Sequence, residues 1–279
     1  MPTRTYAASV AGLPVRDPPP LRSPKDSSEI PSDDDMGFND PQNIIYVNLK
    51  AKDLTDPKWT ERINYLTQML QLTHQLATIQ TGIQVKDRKA EGVLPDDMSD
   101  ASQWKRSEYR HKVMDTYFKD GVYTWCYSPQ ETEVEKHISV DKTNFHWELL
   151  KDMLAGIIVP GPIESSLEAI FKGITDTILK TEVTTDKRSF WSLVQVFTYD
   201  AVQDKLNGSL RNITYTLSQD MKEVTVGKAS HTSIQVDFAF SQCDFSFNES
   251  TWDSVKEKVN QYIISTGIGN ITDPPKVDV

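Results

Sequence analysis

The fold class is decided by one stretch near the carboxyl end of the chain, IQVDFAFSQCDFSF over residues 234–247. In its first half apolar and polar residues alternate, which is the period of a β-strand with one buried face. In its second half the apolar series continues one residue out of phase, at Cys243, Phe245 and Phe247. A one-residue shift of this kind predicts a bulge or a bend, here at Ser241–Gln242.

The rest of the chain divides into strand-like and helix-like patterns. Four further strands are predicted, at Ile44–Leu49, Gly121–Tyr127, Phe190–Tyr199 and Arg211–Gln219. Apolar spacings of three and four predict a helix opened by Pro57, a helix over Ser102–Lys119 and a closing helix from Glu249, with a polar loop over 82–101. Successive strands with short turns pair antiparallel. The expected architecture is a single-domain α/β/α sandwich, with an antiparallel sheet between two layers of helices.

The middle of the chain predicts an αα-hairpin over residues 146–180, turned at Val159–Pro162. One interpretation is purely structural: the hairpin is a helix layer that packs on the sheet. The functional alternative is a layer that swings away and lets apolar surface meet lipid. The polar face mixes acidic and basic residues and lacks the cationic excess of a membrane-surface helix, so membrane action would require unmasking of buried apolar surface.

The charge balance narrows the classes of function. The chain has 279 residues, with Lys+Arg 30 against Asp+Glu 40 and a net charge of −10. A nucleic-acid binder is disfavoured, because phosphate contacts need a basic face. The first residues do not form a secretory signal. We therefore expect a cytoplasmic protein, or one secreted without an N-terminal signal peptide.

Residues 1–40 differ in composition from the remainder of the chain. They hold seven of the 15 prolines and include the acidic run Ser32–Asp35. Such a segment has little apolar surface to offset the loss of chain entropy, so a disordered Pro/Asp-rich tail is predicted. The folded domain is expected over residues 41–266, followed by a flexible C-terminal tail over 267–279.

The sequence carries no familiar catalytic motif. There is no nucleophile elbow, no P-loop and no zinc-protease motif, and no two of the five histidines have the spacing of metal ligands. We therefore expect a protein that is not an enzyme and binds no metal. An enzyme would instead have to bring His137 or His146 together with Glu131 or Glu135 in a cleft.

Cys243 lies among aromatic residues at the phase shift, and three interpretations of it stay open. It could be a buried structural cysteine, which is common. It could be a lipid-modified or lipid-facing cysteine, since burial of an acyl chain is favourable by about 0.8 kcal/mol for each methylene. A disulfide to Cys126 is the third.

The order of parts in the second half of the chain is distinctive. They are the amphipathic helix Pro162–Thr181, the polar turn Thr184–Arg188, the aromatic strand from Phe190-Trp191, the alternating strands Ile213–Leu217 and Ile234–Phe247, and the closing helix Ser250–Ile264. This order resembles the Cyt-type cytolysins, a group with bacterial Cyt δ-endotoxins, the mushroom cytolysin volvatoxin and the Erwinia virulence factor (Evf) family. The resemblance covers roughly residues 43–265.

The resemblance implies the α/β/α fold and a non-enzymatic protein that acts on membranes. The Evf branch is associated with a late cysteine that carries a buried fatty acid, and the late cysteine here is Cys243, which implies a covalent palmitate on it. The lipid-facing residues of a cavity or membrane-engaging strand would be Phe238, Phe240, Phe245 and Phe247. The implied partners are membrane lipids or a fatty acid, with no nucleic acid, and the chain would assemble as a homo-oligomer on membranes.

Two functions compete on this basis. The first is a lipid-binding, membrane-active virulence factor or pore-forming cytolysin. The alternative is an intracellular interaction or scaffold protein without lipid activity, in which the acidic, proline-rich tail recruits partners.

Overall fold

The computed structural model describes residues 12–25, 27–37, 59–127, 131–141, 188–200, 202–217, 222–226 and 231–266. The chain divides by its contacts into two compact units. The first unit comprises residues 1–43, 61–129 and 245–273, and the second comprises 44–60, 130–244 and 274–279. Each unit is assembled from separated stretches of the sequence, because the chain passes from one to the other several times.

Helices dominate the described part of the first unit. They are α1 (Asp33–Met36), α2 (Thr60–Ala90), α3 (Asp100–Lys119) and α4 (Glu249–Ser265). Ser99 and Asn248 cap α3 and α4, and their side chains accept backbone N–H groups of the first turn. The three long helices confirm the periodicity of the sequence.

Helix α2 extends further than the sequence indicates. A loop was predicted over 82–101, yet the helix continues to Ala90. Gly82 is not a helix breaker here. A Cβ at this position would lie 2.8 Å from Met36 Cγ and 3.1 Å from Pro31 Cβ. The glycine therefore provides room for the N-terminal segment.

The sheet has six described strands, namely β1 (Cys126–Tyr127), β2 (Glu131–Asp141), β3 (Arg188–Asp200), β4 (Lys205–Leu217), β5 (Lys222–Val226) and β6 (His231–Phe247). The hydrogen-bonded order is β1-β6-β4-β3, and β2 and β5 also pair with β6. The pairs of β6 with β1, β2 and β5 are antiparallel, as is the hairpin of β3 and β4. Helices together with an antiparallel sheet confirm the predicted α/β class.

Strand β6 contradicts the predicted bulge. Its pairing with β2 continues without interruption through Ser241 and Gln242, which lie opposite Glu133 and Thr132. Without an extra residue, successive positions continue to alternate between the two faces of the sheet. Positions 238 and 240 therefore belong to one face and positions 243, 245 and 247 to the other.

The described part of the N-terminal segment is ordered, so the predicted disorder of residues 1–40 is wrong for it. Residues 12–37 lie in the first unit, with a 3-10 turn at Ser27–Glu29 and the one-turn helix α1. Ser32 and Asp35 form a capping box at the start of α1. Composition failed as a guide because the contacts that order this segment come from helices far along the chain.

Other predicted elements lie outside the described residues. These are the strand over 44–49, the helical hairpin over 146–180, most of the polar turn at 184–188 and the C-terminal tail over 267–279.

Candidate functional site

The candidate site centres on the thiol of Cys243, in the last part of β6 that belongs to the second unit. Cys243 is 3% exposed, whereas the side chain of its neighbour Asp244 is 39% exposed. Alternation along the strand accounts for this contrast, because the two side chains point to opposite faces of the sheet. The thiol is thus an interior group, as its structural and its lipid interpretations both require.

A bidentate ion pair fixes this end of the strand. Arg211 on β4 donates from Nε to Asp244 Oδ1 at 2.8 Å and from Nη2 to Oδ2 at 2.9 Å. Two parallel charge-assisted bonds define the orientation of both partners. The pair joins neighbouring strands on the face opposite the thiol, and so holds Cys243 towards the other face.

The thiol's face of the sheet is mainly buried. Leu210 is fully buried and Phe197 is 5% exposed. Gln195, which lies opposite Leu210 in the β3–β4 register, is 3% exposed, and its Nε2 has no hydrogen-bond partner in the described part of the chain. The face therefore combines buried apolar side chains with two buried amides, those of Gln195 and Asn212.

Phe245 lies on the first-unit side of the boundary, in an aromatic cluster. Its ring centroid is 5.0 Å from that of Phe118, and Phe118 is 4.9 Å from Tyr123. The cluster continues through Trp125 to Trp252, with centroid separations of 5.5 Å at each step. These distances are typical of stabilising aromatic pairs.

Two polar atoms of the aromatic cluster have hydrogen-bond partners. The Tyr123 hydroxyl donates to Gln80 Oε1 at 3.0 Å, and Trp125 Nε1 donates to Thr73 Oγ1 at 2.9 Å. Both acceptors are on α2. With these bonds to α2 and with its rings buried, the cluster has the character of a structural core.

The second thiol, Cys126, is also buried, at 4% exposure. Burial raises the pKa of the Cys126 thiol well above its ordinary value. Neither cysteine is in a disulfide, so the bridge considered from the sequence is absent. Burial makes both thiols poorly accessible to reagents in the folded protein.

The four phenylalanines predicted to face lipid do not share one environment. Phe245 is fully buried in the aromatic cluster, and Phe247 is of intermediate burial opposite Cys126. Positions 238 and 240 pair with Lys136 and Val134 of β2. The uninterrupted strand places these two positions on the opposite face, so a single lipid-facing surface cannot contain all four.

The described residues hold no group of three or more His, Cys, Asp or Glu placed to bind a metal ion. None of the described helices is long and apolar enough to cross a membrane. His146 lies outside the described residues, and of His137 and the nearby glutamates only the strand positions are described, so the enzymatic alternative stays a prediction.

One cavity in the first unit has a volume of about 250 Å³. Its walls come from the N-terminal segment around Pro19 and Arg22, from α2 at Ile83 and Lys86, and from Tyr262 of α4. The volume of this cavity is below the range of roughly 300–1,000 Å³ that is typical of small-molecule sites.

A second group of polar residues was missed by sequence reasoning. Asp34 and Asp35 of the N-terminal segment contact Lys89 of α2 and Arg106 of α3. The pattern Ser32-x-x-Asp35 is a capping-box signal that could have predicted α1. Nothing in local sequence connects these aspartates to cations more than 50 residues away.

Comparisons with known proteins give structural neighbours only. No family model and no curated protein matches the sequence. The chain is similar to the solved structure of the Evf virulence factor, with 12% identity, coverage of 79% of this chain and 78% of that chain, and a TM-score of 0.46. It is also similar to a δ-endotoxin structure, with 10% identity, coverage of 75% and 82%, and a TM-score of 0.30. Both neighbours carry names that belong to the groups the sequence resembles, and the fold assignment rests on this chain's own sheet and helices.

Proposed function

We propose that this protein is a non-enzymatic, lipid-binding virulence factor or cytolysin that acts on membranes and carries a fatty acid on Cys243. The observation that carries the proposal is the position of the thiol. It is buried near the end of a 17-residue strand, on a face with Leu210 and Phe197, and it is not in a disulfide.

A thioester at this position would direct the acyl chain along the buried face of the sheet that holds Leu210 and Phe197. Each buried methylene contributes about 0.8 kcal/mol. A long acyl chain is therefore much more stable when it is buried in the protein than when it is exposed to water. The Arg211–Asp244 pair supports the proposal, since it prevents the strand end from turning the thiol outward.

Action on membranes would use the long strands of the sheet. An extended segment needs about 9–11 residues to cross the hydrocarbon of a bilayer. Strands β3 and β4 have 13 residues each and β6 has 17. Their length is compatible with engagement of lipid once covering elements have moved away.

Acylation is tested by intact mass of the protein isolated from its native host and then denatured, so that the buried thiol is accessible, before and after hydroxylamine, which cleaves thioesters. We expect a fatty-acyl mass that hydroxylamine removes, that is lost in Cys243→Ser and that is retained in Cys126→Ser. The second variant is a matched control, because Cys126 is an equally buried cysteine. A wild-type chain without a labile acyl mass would overturn this part of the proposal.

Membrane activity is tested separately by dye release from liposomes, with a dose series and several lipid compositions. We expect release at a low ratio of protein to lipid. If no composition gives release and the chain carries a labile acyl group, a lipid-carrying protein without lytic activity remains. If both results are negative, the alternative of an interaction protein without lipid activity replaces the proposal.

A further inference from the structure

The described N-terminal residues, 12–37, contact α2 and α3 as a bound peptide contacts its receptor. Side chains of the helices donate to main-chain carbonyl oxygens of the segment. These contacts run from Lys112 to Leu13, from Arg88 to Pro14, from Gln84 and Tyr117 to Arg16, and from Gln80 to Pro19. Proline-rich peptides are commonly recognised in this way, because their main chain is extended and has unpaired carbonyl groups.

The acidic end of the segment is recognised by cations. Arg106 Nη2 donates to Asp34 Oδ1 at 3.0 Å, and Lys89 Nζ donates to Asp35 Oδ1 at 2.8 Å. Arg110 Nη1 donates to the main-chain oxygens of both aspartates at 3.0 Å. The helices therefore bind both the side chains and the main-chain oxygens of these two aspartates.

Two apolar side chains complete the fit. Met36 follows the aspartates and is 7% exposed. It lies over Gly82 of α2, where a Cβ would approach Met36 Cγ to 2.8 Å and Pro31 Cβ to 3.1 Å. The helix surface at Gly82 thus has room for the methionine that follows the two carboxylates and for the proline that precedes them.

The groove depends on an acidic occupant. Arg106 is fully buried, Asp34 is the one carboxylate that it contacts in the described part of the chain, and its Nε has no partner there. A buried arginine without a counter-charge is strongly unfavourable. Lys89 would keep the exposed Asp96 as a partner, but Arg106 would not have a second carboxylate among the described residues.

Contacts of this kind allow the N-terminal segment to be replaced by another peptide. In residues 12–37 the buried apolar residues are Pro31 and Met36. The hydrogen bonds and ion pairs described above can be replaced by water and salt. Release of the segment would therefore expose little apolar surface compared with release of a core helix.

We propose that α2 and α3 form a peptide-binding groove, that residues 12–37 are its resident tethered ligand, and that an acidic segment of a partner protein exchanges with them. The groove fits an N-capped turn with two successive aspartates followed by methionine. The occupant is defined by this chemistry, and the inference does not depend on the proposed lipid function.

The test uses the full-length protein and a fluorescent peptide with the sequence of residues 27–40. Asp34→Asn/Asp35→Asn weakens the resident segment, and Asp33→Asn is the matched control, since Asp33 is exposed. Binding is followed by fluorescence anisotropy at low and high salt. We expect the double variant to bind the peptide at least about tenfold more tightly than the wild type or the control, because a resident ligand lowers apparent affinity by the fraction of open groove. High salt should weaken the binding.

Hydrogen exchange of residues 31–37 accompanies the binding measurement. If these residues become exposed in the double variant and the peptide still fails to bind, the groove is not a receptor. If they stay as protected as in the wild type, the ion pairs are not what holds the segment, and the proposal also fails. Should the double variant not fold, an excess of peptide must accelerate exchange of residues 31–37 in the wild type, and no acceleration would overturn the proposal.

Discussion

Two regions of the first unit are ordered by different physics. The aromatic cluster from Phe118 to Trp252 is a continuous series of buried rings on α3, on the segment between α3 and β1, and on α4. The N-terminal segment over 12–37 is held by ion pairs and by donors that read its main chain. Burial of apolar area at about 25 cal/mol per Å² stabilises the first region whatever the salt concentration. The second depends on charges that are partly exposed, such as Asp34.

The comparison shows that order and stability are separate properties. Both regions have a defined structure, but one is part of the core and the other resembles a ligand. Perturbations that distinguish apolar burial from charge should therefore affect them differently.

The largest effect is expected for Trp252→Ala in the aromatic cluster. Trp252 is 2% exposed and its ring centroid lies 5.5 Å from that of Trp125. Removal of a buried tryptophan leaves a cavity, and the free energy of unfolding should fall by about 3–5 kcal/mol. Urea unfolding of the full-length protein measures this loss.

The matched control is Ile264→Ala, on the same helix as Trp252. Ile264 is 63% exposed, so its truncation should change the free energy of unfolding by no more than about 0.5 kcal/mol. A loss below about 1 kcal/mol in Trp252→Ala would contradict the assignment of this cluster as the core of the unit.

Mild acid should weaken the helical core while the N-terminal segment stays bound. Burial lowers the pKa of both His74 and His111 to about 3, from an ordinary value of 6.5. The unfolded chain then binds more protons than the folded one below about pH 6.5, so stability falls as the pH falls. A change from about pH 7.5 to about pH 5.5 should lower the free energy of unfolding by about 1.4 kcal/mol for each histidine. Urea unfolding at both pH values measures this loss.

The carboxyl group of Asp35 titrates at a lower pH than the range over which the two histidines reduce stability. Burial acts to raise its pKa, but hydrogen bonds from Lys89 and Ser32 outweigh burial and lower it below 3.8. Its contribution is therefore complete above about pH 4 and is lost only as the pH falls through the lowered pKa. Hydrogen exchange of residues 31–37 that rises already at about pH 5.5, or a pH dependence that persists in His74→Gln/His111→Gln, would contradict this separation.

The sequence predicted those parts of the fold that depend on local periodicity. Alternation predicted β3, β4 and β6, and spacings of three and four predicted α3 and α4. A buried Cys243 was one of the interpretations left open, and the side chain is 3% exposed. These properties depend on near neighbours in the chain, which a pattern records directly.

The features that the sequence did not predict depend on residues far apart in the chain. Gly82 was interpreted as part of a loop, because the approach of Met36 is visible only in three dimensions. Residues 12–37 were interpreted as disordered, because the cations that bind Asp34 and Asp35 are on α2 and α3. The bulge in β6 was wrong since both faces of a strand can be apolar when different neighbours cover them.

A small effect on global stability, and the sharpest contrast between the two regions, is expected for Gly82→Ala. Alanine favours a helix over glycine by about 1 kcal/mol, so the free energy of unfolding should change by less than about 1 kcal/mol. The new Cβ would collide with Met36 at 2.8 Å, and hydrogen exchange of residues 31–37 should accelerate. In a Met36→Ala background the substitution should accelerate this exchange less, because the contact with Met36 Cγ is gone and the contact with Pro31 Cβ at 3.1 Å is the one that remains. Equal effects of Gly82→Ala in both backgrounds would mean that the glycine is present for another reason, and that the methionine contact does not define the groove.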